Sequence, residues 1–188
     1  MEEQMPTKLE LISKMYSLEN KSTLQAVEEL RVRGWLTDGS LRGTALCQAQ
    51  LGNADLMGAD LRGVDLHQAN LEFADLRKAK LNAAKLNRAS MYRANFDQAD
   101  LTFADLYKAN LRGAQNLTAR QLSGAHQLLG AIMPDGTTYD GRFNLAGDLA
   151  RARWAKVDTD DPNSMAEFYG VTLEAYLHAH KQETVPAV

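Results

Sequence analysis

The chain has 188 residues, a formal net charge of −3 and 45% hydrophobic residues. That balance excludes a disordered polyelectrolyte and suits one domain, or a rod with small end pieces. No apolar run approaches the ~20 residues that cross a bilayer, residues 1–6 lack the pattern of a secretory leader, and the single cysteine, Cys47, has no partner for an internal disulfide; the expectation is a cytoplasmic protein.

Residues 1–33 read as helical. Leu9, Leu11, Ile12 and Met15 form one apolar stretch. Ser22 or Thr23 can cap a second helix carrying Leu24, Val27 and Leu30, with Ser22 and Gln25 spaced as a capping box. Gly34 ends that helix.

From Leu36 to Leu111 a large apolar residue returns at every fifth position, sixteen times, and fourteen are Leu. The series runs through Leu41, Leu46 and Leu51 to a central core of Leu56, Leu61, Leu66, Leu71, Leu76, Leu81, Leu86, Met91, Phe96, Leu101 and Leu106. Two residues before each stands a small one: Ala at twelve places, and otherwise Gly34, Gly39, Thr44 or Val64. A period of five fits neither a helix nor a flat strand. On a helix each step would turn the Leu by about 140° and scatter it around the cylinder. The pattern works if each unit is one short side of a coil, with a bend between sides. The large residue and the small one two before it then both point inward, and the tube is narrow and filled.

The units Ala54–Gly58, Ala59–Gly63 and Ala69–Phe73 resemble those of pentapeptide-repeat proteins. The resemblance covers Gly34 to about Ala114. It implies a right-handed square parallel β-helix with four units per coil, and so about four coils. The organisation expected is a helical cap over 1–33, a β-helix over 34–117 and a mostly helical capping block over 118–188. A partner-binding helix is the alternative for the first segment and an effector domain for the last.

Coils of twenty residues make a sharp expectation about neighbours. Asp60, Lys80 and Asp100 should stack in one column, and Asp65, Lys85 and Asp105 in the next. Opposite charges at strand spacing attract. Two Asp–Lys–Asp ladders are therefore expected, their value lying in register more than in stability.

After Leu111 the pattern slips, with Asn116 where Leu belongs. Thr118 can cap a short helix over 119–123. Pro134, Asp135 and Gly136 have turn chemistry and suit a hairpin over 131–141. Asn144 can cap a helix to about Lys156, with Leu145, Leu149 and Ala152 inward. Asn163 or Ser164 can start another, carrying Met165, Phe168 and Tyr169 and ended by Gly170. Thr172 can cap the last, with Leu173, Tyr176, Leu177 and His180 on one face. The tail from Gln182 should be loose.

No arrangement in the sequence points to catalysis, a cofactor or a small-molecule substrate. His178 and His180 would diverge on a helix and share no metal. Cys47 and His67 should be outward neighbours, in a column continuing with Asn87 and Tyr107 that offers no full zinc ligand set. Asp158, Asp160 and Asp161 lack the calcium-loop pattern, since Asn163 and Tyr169 stand where Gly and Glu are needed.

Binding is the class that remains, as in other solenoids. Arg77, Lys78, Lys80, Lys85, Arg88 and Arg93 crowd the third coil. The candidate partner surface is Arg77, Lys78, Arg88 and Arg93 with the outward aromatics Phe73, Tyr92, Phe103 and Tyr107. Phe73 and Arg93 are expected to stack ring to cation. The resemblance also brings a known activity of the family, mimicry of the DNA duplex toward DNA gyrase. That needs a strongly negative rod, whereas residues 34–117 hold nine acids and ten bases. The expectation is a scaffold for an unidentified protein partner, as monomer or homodimer, with the gyrase regulator as runner-up and direct nucleic-acid binding as a third option.

Overall fold

The computed structural model describes residues 5–17 and 19–181. Its centre is a set of four ladders of parallel bridges, each ladder joining residues twenty apart. Asp55 pairs with Asp75, Asn95 and Gln115 in turn, and Asp60 with Lys80 and Asp100. Ala45, Asp65, Lys85 and Asp105 form the third ladder, and Gln50, Asn70, Ser90 and Asn110 the fourth. This is a β-helix. All sixteen large residues from Leu36 to Leu111 lie inside it, at most 1% exposed. Leu56, Leu76 and Phe96 thus occupy one interior file, as the five-residue period requires.

The local chemistry explains the unit. From Leu41 on, the N–H of the residue three after each central one bonds back to its carbonyl, as Ala54 does to Leu51 at 3.0 Å. The third residue of that turn is left-handed at every unit from Gln48 to Gly113, with φ between 54° and 69°. A type II turn demands that sign. Only Gly58, Gly63 and Gly113 meet it with glycine; elsewhere residues such as Lys78, Ala83 and Phe103 are held there. Strain of roughly 1–2 kcal/mol at such a residue is offset by ladder bonds. The N–H of Lys78, for example, donates to the Asp97 carbonyl at 2.8 Å.

The Asp or Asn before the central residue has a second task. Its carboxylate or amide oxygen accepts the N–H two residues on, as Asp65 does from His67, Asn70 from Glu72 and Asp105 from Tyr107, at 2.9–3.1 Å. The same bond recurs from Asp55, Asp75, Asn95, Asp100 and Asn110. Short acceptor side chains are favoured at this place because they close an Asx turn.

Parallel pairing does not stop at Leu117. A short helix, Ala119–Ser123, occupies one side, and the ladder resumes two residues late: Gln127 pairs with Asp105 and Ile132 with Asn110. Ala125, Leu128, Ala131 and Met133 continue the buried files. The hairpin expected over 131–141 is present, Ile132 facing Thr138 antiparallel.

Among the described residues six helices flank or interrupt the ladders: α1 (Lys8–Lys14), α2 (Asn20–Val32), α3 (Ala119–Ser123), α4 (Ala146–Trp154), α5 (Pro162–Tyr169) and α6 (Leu173–Lys181). Several boundaries differ from the sequence expectation. Helix α2 starts at Asn20, before Ser22, and Thr23 is buried with its hydroxyl donating to the Ser17 and Glu19 carbonyls, so neither residue is the cap. The capping box belongs to α1, between Thr7 and Glu10. Asp161, not Asn163 or Ser164, caps α5, with Pro162 in its first turn. Leu145 rather than Asn144 stands at the start of α4. On α6 the buried residues are Tyr176 and Ala179, while Leu173 and Leu177 remain 38% exposed. Thr118, Gly170 and Thr172 act as expected. The expectations for residues 1–4 and for the tail from Gln182 lie outside the described residues.

The two ends of the ladders meet these helices through matched polar groups. At the first coil the Gln50 and Gly52 carbonyls point away from the next coil, and Asn20 Nδ2 of α2 donates to both, at 3.1 and 3.0 Å. At the last coil the Leu128 N–H has no coil to follow, and the Leu129 N–H has no Asp or Asn before Leu128 to accept it. Asp148 of α4 accepts from both, its Oδ1 at 3.2 and 2.9 Å. Gly147 N–H donates to the His126 carbonyl at 3.0 Å. Tyr139, Phe143, Phe168, Tyr169 and Tyr176 form an aromatic cluster in the C-terminal block, with ring centroids 5.3–6.2 Å apart.

Candidate interaction surface

The outward side chains form straight files, so position in the five-residue unit decides which side of the tube a residue decorates. Arg77 and Lys78 follow Leu76 and lie on one side. Phe103 follows Leu101 on the next. Arg88 and Tyr107 follow Leu86 and Leu106 on the third, and Phe73, Tyr92 and Arg93 share the fourth. The eight nominated residues therefore surround the rod and do not converge on one patch.

Some of them do meet. The Phe73 and Tyr92 rings stand edge to face at 5.5 Å. Arg93 lies over its sequence neighbour Tyr92 at 5.2 Å, not over Phe73 as expected. Arg77 is bound to Asp75 on its own unit. That bond, more than burial, sets the Asp75 carboxyl below its ordinary range. Phe103 is 69% exposed, with Lys78 and Arg88 also on the surface.

The charge ladders are in register, but only one rung is an ion pair: Lys85 Nζ to Asp65 at 3.3 Å. Burial pushes the Asp65 carboxyl up, and hydrogen bonds from the His67 N–H, Cys47 and Lys85 outweigh it and hold it low. Asp60, in the other ladder, turns to arginines instead. It is 1% exposed and takes Arg42 at 2.6 Å and Arg62 at 2.7 Å, while Lys80 stays exposed. A guanidinium fork satisfies a buried carboxylate in a way that one ammonium cannot. The stacked pair Asp55 and Asp75 is likewise neutralised from outside, Arg31 of α2 reaching Asp55 at 2.8 Å.

Cys47 and His67 share a column as expected, and His67 Nδ1 meets Asn87 Nδ2. Among the described residues no group of His, Cys, Asp and Glu side chains could hold a metal ion. No described helix is long and apolar enough to cross a membrane.

One feature went unnamed in the sequence. Trp154, the last residue of α4, is 84% exposed. Arg151, one turn earlier, lies over the Tyr107 ring at 4.3 Å, and Lys108 is 5.3 Å from the same ring. The apolar i, i+3 and i+4 face of α4 was legible, but its meeting with the Tyr107 column depends on the ladder resuming after α3.

Files of flat, outward side chains on a β-helix of five-residue units define a repeat solenoid. The family model for pentapeptide repeats matches residues 40–77 and 74–113, and this repeat segment of the chain belongs to that family. Among solved structures the chain is similar to HetL, a pentapeptide repeat protein involved in heterocyst differentiation regulation from the cyanobacterium Nostoc sp. Strain PCC 7120. The identity is 39% over 52% of this chain and 41% of that one, with a TM-score of 0.41. A pentapeptide repeat protein from the Arabidopsis thaliana thylakoid lumen is 27% identical, over 50% of this chain and 60% of that one, with a TM-score of 0.41. One from the cyanobacterium Cyanothece 51142 is 31% identical, over 51% and 60%, with a TM-score of 0.40. The chain thus spans less than two thirds of each. No curated protein matches it.

Proposed function

We propose that the chain is a non-enzymatic scaffold that presents one side of a rigid rod to a protein partner in the cytoplasm. In this reading the tube is a right-handed square coil, α1 and α2 cap one end, and the block from 118 caps the other. The observation that carries it is the division of labour within each unit. Inward residues fill the core, and in eight of the units an Asp or Asn before the central residue closes its own turn. What remains for chemistry is a set of flat files. Lys78 and Arg88 take no part in an ion pair among the described residues and are available to a partner. Mimicry of DNA toward gyrase competes with this reading, and the near-neutral rod weighs against it.

The test is a capture experiment from the source cell, comparing the native chain with Arg77, Lys78, Arg88 and Arg93 each reversed to Glu, one side at a time. A partner lost with one side and kept with the others supports the scaffold. Inhibition of gyrase supercoiling at low micromolar protein would favour the mimic instead.

A further inference from the structure

The corner between α4 and the last coil has the chemistry of a docking site. His126, Gln127, Gly147, Ala150, Arg151 and Trp154 line a shallow recess of about 410 Å³. Trp154 stands at its lip, 84% exposed, on the same helical face as Gly147, Ala150 and Arg151. A bare indole of this kind is the side chain most enriched among residues that dominate binding energy.

The corner gathers two cations. Arg151 and Lys108 both approach the Tyr107 ring, at 4.3 and 5.3 Å, and neither makes an ion pair among the described residues. Arg151 Nε is shielded from water without a hydrogen-bond partner. Two carboxylates of the neighbouring segments have hydrogen-bond partners of their own, and Asp148 also feels the Arg151 charge. Asp148 is buried against the Leu128 and Leu129 N–H groups, and Asp105 is held by Gln127 Nε2 at 2.7 Å and the Tyr107 N–H at 2.9 Å. Two cations approach one ring, and one of them, Arg151, lines the same recess as the exposed indole; an anion with an apolar neighbour would match both.

We infer that this corner binds an acidic segment of a partner protein, one carboxylate lying between Arg151 and Lys108 and an apolar side chain packing against Trp154. The inference rests on the scaffold reading and narrows it to one end of the rod. A nucleic-acid strand would also offer anions, and its binding is the competing outcome that the experiment below separates.

The probe is a fluorescein-labelled peptide of alternating Glu and Leu, titrated with the full chain and followed by anisotropy. Saturable binding is expected, weakened about tenfold or more by Trp154→Ala. Lys108→Glu should weaken it similarly, and rising salt should weaken it further. Trp154 is exposed, so its replacement leaves the fold intact, and an unchanged melting temperature verifies this. No binding of the peptide, or binding indifferent to Trp154→Ala, overturns the proposal. So does tighter, Trp154-dependent binding of oligothymidylate. If a captured partner depends on Arg77, Lys78, Arg88 or Arg93 and not on Trp154, the scaffold reading survives and this site does not.

Discussion

The two ends of the tube face opposite problems and are closed by opposite groups. In each unit the carbonyls flanking the central residue point toward the preceding coil, and the central N–H points toward the following one. The N–H before the central residue and the carbonyl two before it run the other way, so the first coil is left with an excess of bare carbonyls and the last with an excess of bare N–H groups. A donor, Asn20, serves the first end, and an acceptor, Asp148, serves the last. The difference goes further than sign. Asp148 is fully buried and reaches both a ladder N–H and the Leu129 N–H. In the same column the corresponding N–H is taken by Asp65 and by Asp105 before the central residue. Here the place is held by Gln127, whose amide has gone to Asp105.

The largest effect that would test this contrast lies beyond Asp148, where the aromatic cluster pins the C-terminal block. Gly141 has φ +84°, and a Cβ there would sit 2.3 Å from the Tyr169 ring. Gly141→Ala should cost about 2–5 kcal/mol, combining left-handed strain with overpacking, as read by urea denaturation. A change under about 1 kcal/mol would mean that the cluster yields.

Asp148→Ala comes next. It strands two buried N–H groups and should cost about 1–3 kcal/mol. Asn20→Ala should cost less, about 0.5–1.5 kcal/mol, because carbonyls tolerate a missing partner better than N–H groups do. Equal losses at the two ends would break the comparison.

The ends should also differ in their response to pH. Burial pushes the Asp148 carboxyl up to about 6, against the opposing pull of the Leu129 and Leu128 N–H groups. The folded chain then holds a proton that the unfolded chain releases. This contribution is fully present below about pH 4 and lost as pH rises through about 6. Asp38, held at about 2 chiefly by the Lys8 ammonium, works the other way: its contribution is present above about pH 4 and lost as pH falls toward 2. Melting temperature plotted against pH should therefore fall less steeply between 4 and 6 for Asp148→Asn than for the native chain. Parallel curves would show that Asp148 does not titrate there.

The smallest effect is in the corners of the coils. Ala83 is held at φ +55° in the column of Gly63, which is at +65° with open space where a Cβ would stand. Ala83→Gly should stabilise by up to about 1 kcal/mol, and Gly63→Ala should destabilise by a similar amount, both read by urea denaturation.

The five-residue period made the core, the register and the neighbour relations legible, since Leu and Ala cannot alternate inward any other way. Long side chains were not legible. Arg42 and Arg62 reach Asp60 across and along the ladder, and nothing periodic announces it. The resumed pairing at Gln127 was hidden by a two-residue insertion around α3, although the small-then-large spacing of Ala131 and Met133 carried the signal. Asp148 looked like an ordinary acid in the first turn of a helix. The nominated surface residues were neighbours in sequence, and a coil of twenty residues distributes such neighbours around all its sides.

Amide hydrogen exchange at Leu128 and Leu129 tests the closing of the ladder most directly. In the native chain both amides should exchange as slowly as that of Leu106, which donates to Gln127 inside the tube. In Asp148→Ala they should become fast while Leu106 stays slow. Fast exchange at both in the native chain, or protection that survives the substitution, would contradict the account.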